Sequence, residues 1–494
     1  MSQFPSSARS AYSTLARATL LAGSAAATLA ACTVGPNYVR PGAPLSAAFK
    51  EAPPGWVQSA PADAVDRGAW WAVFDDPVLD GLERRVAIGN QNLKAAEAAY
   101  RVAHATTEEA RASFFPTLDL GAATQRSKSG TSRSVGGQIF NGGGSGPSTN
   151  NNYSTTLTAS WAPDLWGSIR RTVEGDVANA QSQAATVASA RLSYQAELAT
   201  DYFDLRVLDA QKRLYDETAQ AYQRALTLTE NQYKVGVVAR ADVINAQSQL
   251  LSAQASAVDV GVQRGQFEHA IAVLAGAAPA DVSVAPGALS GVVPVAPGIV
   301  PSELLQRRPD IASAERSVAA ANAQIGVQTA AYYPSLNLSG DGGYSNSRLN
   351  QLFAAGAGFW SIAANASETL IDFGARRQRV REARFRRDQA VAQYRQTVLT
   401  ALQGVEDQLV ALRVLGAESG VRSDAERLAR RSAQLAFNQY RAGQVDFATV
   451  VQAQTNALAA EQGVLNVLRG RLDASVLLIQ NLGGGWTTGD LPPR

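Results

Sequence analysis

Two kinds of hydrophobic spacing alternate along this chain, and each occurs twice. Val398, Leu402, Val405, Leu409 and Leu412 follow a 4-3-4-3 spacing, as do Tyr215, Ala219, Tyr222, Leu226, Thr229 and Tyr233. That spacing holds one stripe of a helix toward a partner helix, the seam of a coiled coil. Elsewhere apolar and polar residues alternate, at Leu118, Leu120 and Ala122 and again at Tyr153, Thr155, Leu157, Ala159 and Trp161. This is the period of a strand with two unlike faces. A second set comprises Leu336 and Leu338, a Gly-rich turn region, then Trp360, Ile362, Ala364 and Ala366.

Proline sets the permitted helix lengths. None occurs between Pro163 and Pro279 or between Pro334 and Pro492, and one in a helix interior would cost about 3 kcal/mol. The spacing therefore predicts a long helix over 167–235 with a return helix over 238–275, and the same pair over 374–442 and 445–482. A 70-residue helix reaches roughly 105 Å at 1.5 Å per residue, beyond what a globular core uses.

The two sets are copies of one unit. Leu205-Arg206-Val207-Leu208 recurs as Leu412-Arg413-Val414-Leu415, and Asn231-Gln232-Tyr233-Lys234-Val235-Gly236 as Asn438-Gln439-Tyr440-Arg441-Ala442-Gly443, both at an offset of 207. Phe114-Phe115-Pro116-Thr117-Leu118 matches Tyr332-Tyr333-Pro334-Ser335-Leu336 at an offset of 218. The difference falls in the Gly/Ser/Asn-rich stretch Ser127–Asn152, which reads as a loop. The organisation expected is a signal segment 1–31, an extended N-terminal segment 32–88, a first repeat 89–282 with a hairpin over about 116–164, a linker 283–308, a second repeat 309–482 with a hairpin over about 334–372, and a tail 483–494.

Each predicted strand has about ten residues, the length a tilted strand needs to cross an outer membrane. Four such strands do not close, and an open edge in lipid leaves backbone groups unpaired. The chain must therefore oligomerise. Eight strands would pack solid and twelve would enclose a passage, so three copies are the smallest transporting assembly, while four would also close. The fold class read here is an α+β membrane protein, a twelve-stranded β-barrel with four strands per chain continued by a long α-helical coiled-coil barrel in the periplasm.

Composition narrows the chemistry. With 46% hydrophobic and 17% charged residues the chain can bury a core. Lys+Arg 44 against Asp+Glu 42 leaves a net charge of +2 and no electrostatic case for nucleic acid. One Cys and two His assemble neither a disulfide framework nor a Cys/His metal site. Asp372-Phe373-Gly374 lacks the other parts of a kinase, and Gly142-Gly143-Gly144-Ser145-Gly146 lacks the end of a phosphate loop. His104 and His269 stand alone on helical stretches, which leaves no catalytic constellation.

Arg9 and Arg17 precede a small, apolar run from Ala18 to Ala31 that ends at Cys32, the pattern of a secretory signal too short to span a bilayer. Leu29-Ala30-Ala31-Cys32 resembles the bacterial lipoprotein box, and Cys32 is the expected lipid carrier. Thr33 rather than Asp after the cysteine implies, by that resemblance, retention in the outer membrane.

Several motifs then converge: Cys32-Thr33-Val34-Gly35-Pro36-Asn37-Tyr38, Trp70-Trp71 with Phe74 and Asp76-Pro77, Arg307-Arg308-Pro309-Asp310-Ile311 with Ala314-Glu315, Ile325-Gly326, and Leu482-Gly483-Gly484-Gly485-Trp486. In this order and spacing the mature chain resembles the TolC-like outer-membrane factors of the NodT and OprM type. The resemblance implies a homotrimer, an inner-membrane resistance-nodulation-division pump and a periplasmic adaptor as partners, outer-membrane lipid around the barrel, no catalysis, and no cofactor beyond the lipid on Cys32. The reading from residues alone keeps as its main competitor a non-transporting structural or adhesive lipoprotein, with a hydrolase built on His104 or His269 as the enzyme alternative.

The turns at Gly236 and Gly443 would form the periplasmic tip, which in the family is gate and docking surface. The resemblance implies a hydrogen bond between Tyr440 and Asp242 that holds the tip shut. It places Gln452 where related tunnels carry a ring of aspartates, leaves Asp446 as the acid nearest the second turn, and puts Val445 where a basic residue sometimes links the coils. Weaker cation selectivity is expected from a glutamine ring. Arg376, Arg377 and Arg379 begin a run of seven arginines at the start of the second long helix, where cations oppose the helix macrodipole. Lipid phosphates, an anionic tunnel wall and plain solvent are all open as what compensates them.

Overall fold

The computed structural model describes residues 33–52, 69–128, 149–289, 293–294 and 301–492. The expected signal segment, Cys32 and most of the 127–152 stretch read as a loop lie outside the described residues. In chain order the elements are α1 (Pro77–Gly89), α2 (Gln91–Ala112), β1 (Thr117–Lys128), β2 (Thr149–Trp161), α3 (Ser168–Lys234), α4 (Arg240–Leu274), α5 (Pro309–Ala330), β3 (Ser335–Asn346), β4 (Gly358–Ser367), α6 (Ala375–Arg441) and α7 (Phe447–Asn481). At 67 residues each, α3 and α6 are about 100 Å long at 1.5 Å per residue.

Packing does not follow the repeat boundary. Among the described residues, one compact unit contains those within 33–40, 103–179 and 317–390, and the other those within 41–102, 180–316 and 391–492. Each draws on both repeats, because a hairpin or helix pair with one apolar stripe must find its partner in the other copy.

In the first unit the four strands form one antiparallel sheet in the order β1-β2-β3-β4. Leu120 opposes Leu157, Leu157 opposes Gly342, and Gly342 opposes Trp360. That register puts Leu118, Leu120, Leu157, Leu338, Trp360 and Ile362 on one face. Asp119, Thr156, Thr158, Asn337, Asp341, Ser361 and Asn365 fall on the other. On the polar face Thr158 and Ser361 both donate to the Asp341 carboxylate, at 2.8 and 3.2 Å. Ile362, Leu120 and Trp360 are more than three-quarters exposed. A sheet that is apolar on one face and hydrogen-bonded and polar on the other suits lipid outside and water inside. Among the described residues β1 and β4 are edges with one partner each.

Aromatic rings mark both ends of this sheet. Phe114, Phe115, Trp161, Trp166, Tyr332 and Tyr333 cluster where β1 and β3 begin and β2 ends, with Trp166 stacked on Tyr333 at 4.8 Å. Tyr153, Tyr344, Phe353, Phe359 and Trp360 lie toward the hairpin ends. From Tyr153 to Trp161 a strand covers about 26 Å at ~3.3 Å per residue, close to the apolar band of an outer-membrane barrel. No described helix is long and apolar enough to cross a membrane.

In the second unit α3 is the organising helix. Tyr202, Phe203, Leu205 and Val207 are buried, and the Tyr202 hydroxyl donates to Asp76 at 2.6 Å. Phe74 packs on Phe203 with ring centroids 4.8 Å apart. Arg206 and Arg264 share the Asp209 carboxylate and cap the carbonyls of Ala285 and Val284, tying the start of the linker to α3 and α4. Between α3 and α7, Gln462 donates to the Tyr215 hydroxyl at 2.7 Å and Arg469 to Asp204 at 2.5 Å.

Candidate functional site

The helix-to-helix turns hold the first group of expected residues. Gly236 and Gly443 adopt φ of +78° and +71°, a conformation that a side chain disfavours and that closes each long helix. Below the turns, Tyr222, Leu226, Leu250, Tyr440, Phe447 and Val450 pack into one core to which both repeats contribute.

Tyr440 does not meet Asp242 as expected. Its hydroxyl lies 3.0 Å from that of Thr229. Thr229 uses its only proton on the Ala225 carbonyl at 2.9 Å, so Tyr440 is the donor. The reason is burial: Tyr440 is 3% exposed, its ring 5.5 Å from that of Phe447. Burial foremost raises the pKa of the Tyr440 phenol, and the negative charge of Asp242 adds to the rise. Asp242 itself accepts the Ala239 N–H at 3.2 Å and helps begin α4.

Asp446 caps α7, accepting the backbone N–H of Thr449 at 2.9 Å and its hydroxyl at 2.6 Å. These bonds, the hydroxyl's first, hold its carboxyl below the usual range. Gln452 is exposed and donates to Asn456 at 3.0 Å. Val445, at the position where related chains sometimes carry a basic residue, packs against the tip core.

The basic cluster divides. Arg376 folds back onto Asp372, which accepts its backbone N–H at 3.0 Å and its Nε at 2.7 Å, while the guanidinium also donates to the Thr369 carbonyl. It lies over the Tyr332 ring at 5.4 Å. The bonds from Arg376, with the Gly374 N–H, draw the Asp372 carboxyl down to about 2. Arg376 thus has its counter-charge inside the chain. Arg377 and Arg379 remain exposed, Arg379 beside Gln324, Gln328 and Glu382.

The run that begins at Val34 is anchored near the same strand ends. The Val34 N–H donates to the Trp166 carbonyl at 3.2 Å, and Arg171 donates to the carbonyls of Val34 and Gly35 and to the Asn37 side chain. A Cβ on Gly35 would come within 2.4 Å of the Gly326 Cα, and one on Gly326 within 2.7 Å of the Arg171 Cγ. Cys32 lies outside the described residues, two positions before Val34.

Sequence reasoning missed Thr229, Phe447, Asp372 and Arg171. Thr229 was visible as the one aliphatic hydroxyl in a seam otherwise of apolar and aromatic residues, and Asp372 as a capping-type residue ahead of a helix. Arg171 carried no local signal.

The model of the outer membrane efflux protein family matches residues 84–277 and 300–484. The toluene efflux pump outer membrane protein TtgC of Pseudomonas putida is 29% identical over 461 residues, covering 93% of both chains. Among solved structures, the outer-membrane channel OprN is 30% identical with a TM-score of 0.81, over 92% of this chain and 100% of that one. The open state of the Neisseria gonorrhoeae MtrE outer membrane channel is 25% identical with a TM-score of 0.79, over 92% of this chain and 98% of that one.

Proposed function

The chain belongs to the outer membrane efflux protein family and is the outer-membrane component of an efflux system rather than an enzyme, and from that premise we propose how its copies assemble and what they join. Three copies close one twelve-stranded barrel, and their long helices close a helical wall. The assembly passively conducts small molecules received from an inner-membrane resistance-nodulation-division pump and its periplasmic adaptor.

One observation carries the assembly. Within the chain α3 is tied to α7 through Tyr215 with Gln462 and Asp204 with Arg469, and along these helices Val207 and Leu214 of α3 are buried and Val451, Leu458 and Leu465 of α7 partly buried. The equivalents of the α3 face one repeat later, Val414, Val421, Leu428 and Leu435 on α6, are all at least half exposed. The equivalents of the α7 face one repeat earlier, Ile244, Leu251 and Val258 on α4, are also more than half exposed. Two complementary stripes thus lie unpaired on one chain. Their pairing between copies is heterologous, and a heterologous interface that closes makes a ring. Carrying the register of α3 on α7 across the repeat sets Leu435 against Ile244, Leu428 against Leu251 and Val421 against Val258 of the next copy.

The anchored run from Val34 supports a lipid on Cys32, since it fixes the start of the mature chain beside the strand ends. Paired cysteines, Leu428→Cys with Leu251→Cys, test the assembly. Mild oxidation should give a ladder that stops at three chains, and the trimer should conduct in a planar bilayer. A ladder that stops at two or four, or a cross-linked trimer that never conducts, overturns the proposal.

A further inference from the structure

Past the end of β4 the chain stays apolar and outward. Leu370, Ile371 and Phe373 are 84%, 74% and 101% exposed, and Phe373 is held in a left-handed conformation at φ 51°. They continue the exposed apolar face of Trp360 and Ile362 beyond the last strand residue, Ser367. A surface of this kind at a strand end, level with the aromatic cluster of Phe115, Trp161 and Tyr332, belongs at the boundary between acyl chains and headgroups.

Four residues after Phe373 the first of three unpaired cations appears. Arg376 is neutralised by Asp372, Arg386 reaches Glu382 at 2.5 Å, and Arg387 lies 3.6 Å from Asp388. Arg377, Arg381 and Arg384 are exposed and have no ion-pair partner among the described residues. Their spacing of four and three puts them on one face of α6, while Arg379 and Arg386 turn toward Gln324 and Gln328 of α5. Cations in the first turns of a helix oppose its dipole, and these three have no counter-charge among the described residues. An apolar foot followed by a single-faced row of guanidiniums matches a lipid leaflet in profile, hydrocarbon first and phosphate next. Guanidinium takes phosphate through paired hydrogen bonds.

We propose that Arg377, Arg381 and Arg384 form a phosphate-gripping stripe for phospholipid headgroups of the leaflet that surrounds the strand ends, with Phe373 and its neighbours as the hydrocarbon foot. This rests on the outer-membrane placement of the strands and not on conduction. The stripe holds the barrel at a fixed depth and selects anionic headgroups, whose phosphate is the least shielded.

The test uses the full-length protein purified in detergent and titrated with short-chain phosphatidylglycerol, short-chain phosphatidylcholine or inorganic phosphate, with bound lipid counted by native mass spectrometry and thermal stability read in parallel. Phosphatidylglycerol should be retained at least tenfold more tightly than phosphatidylcholine. R377Q/R381Q/R384Q should lose that preference, R377K/R381K/R384K should keep most of it, and R379Q/R386Q should leave it intact. Retention undiminished in the triple Gln variant overturns the proposal, as does inorganic phosphate competing fully with the lipid. A triple Gln variant that still binds lipid but changes its anion-over-cation preference in planar bilayers places the stripe on the water-filled bore and also overturns it. Unchanged conductance with lost lipid retention separates this result from any failure of the duct itself.

Discussion

The two helix-to-helix turns share a sequence pattern and do opposite things. At the second, Tyr440 and Phe447 are both 3% exposed and packed ring to ring. At the first, the equivalents are Tyr233, 44% exposed, and Arg240, also exposed. One turn is sealed by aromatic packing and the other presents Tyr233, Val235 and Val237 outward. A duplicated unit has thus kept its backbone and divided its labour: one copy supplies the internal core, and the other a surface for something outside the chain. The same division runs along the helices, where the α3·α7 seam is filled internally and its repeat equivalents on α6 and α4 are bare.

The comparison breaks most sharply at Phe447. Phe447→Ala removes a buried ring from a core shared by both repeats and should cost about 3–5 kcal/mol, seen as a lower midpoint in urea or heat. Arg240→Ala at the equivalent position should stay within about 0.5 kcal/mol. Comparable losses at both positions would mean that the turns are packed alike.

A second asymmetry is electrostatic. Asp204 of α3 and Asp473 of α7 share one guanidinium, Arg469, and Asp201 of α3 lies within the field of Asp204. Burial first, then Glu197 and Asp204, push Asp201 up to about 7. Burial and Asp204, opposed by Arg469, do the same for Asp473. The repeat equivalents of the three aspartates, Gln408, Ala411 and Gln266, carry no charge. In the unfolded chain these carboxyls titrate near ~3.9, so between about pH 4 and 7 the folded state holds protons that the unfolded state has released. Stability contributed by this cluster should therefore fall as pH rises through that window. Asp201→Asn with Asp473→Asn should flatten the slope of the unfolding midpoint against pH, and a slope unchanged by the pair would remove the cluster as its source.

Much of this architecture is legible in the chain because its signals are local and repeated. The proline-free stretches predict helices over 167–235 and 374–442, and the helices observed are Ser168–Lys234 and Ala375–Arg441. Alternation from Leu118 to Trp161 places strands where β1 and β2 lie, because a sheet with lipid on one side and water on the other writes its period into every second residue. What the sequence hides is partner choice. The Tyr440–Asp242 bond is the reading that resemblance favours, yet Phe447, seven residues beyond Tyr440, draws the ring inward to Thr229. Arg376 looks like one cation of seven until Asp372 is seen to fold under it. Both cases turn on which of several nearby groups a side chain reaches, and spacing along the chain does not rank them.

The smallest expected effects lie at the helix starts after each turn, where the two copies hold complementary halves of one capping device. In a capping box the first residue's side chain takes a backbone N–H three positions on, and the side chain there returns the favour. After the second turn only the forward half is present, Asp446 accepting from the Thr449 N–H. After the first turn only the reverse half is present, Asp242 accepting from the Ala239 N–H. Removing either half should fray one helical turn without moving the global midpoint. Asp446→Ala should therefore speed amide hydrogen exchange at residues 447–450 alone, and Asp242→Ala at 239–242 alone. Lowering the pH should reproduce the Asp446→Ala pattern, because a carboxyl whose folded pKa is depressed stabilises the folded state above its unfolded pKa and loses that contribution as pH falls through the folded one. Installing the missing halves, Ala239→Asp in the first turn and Thr449→Glu in the second, should slow exchange at both sites. If exchange instead quickens throughout α4 or α7, the caps are holding the tip core together and the two turns are coupled more tightly than their packing indicates.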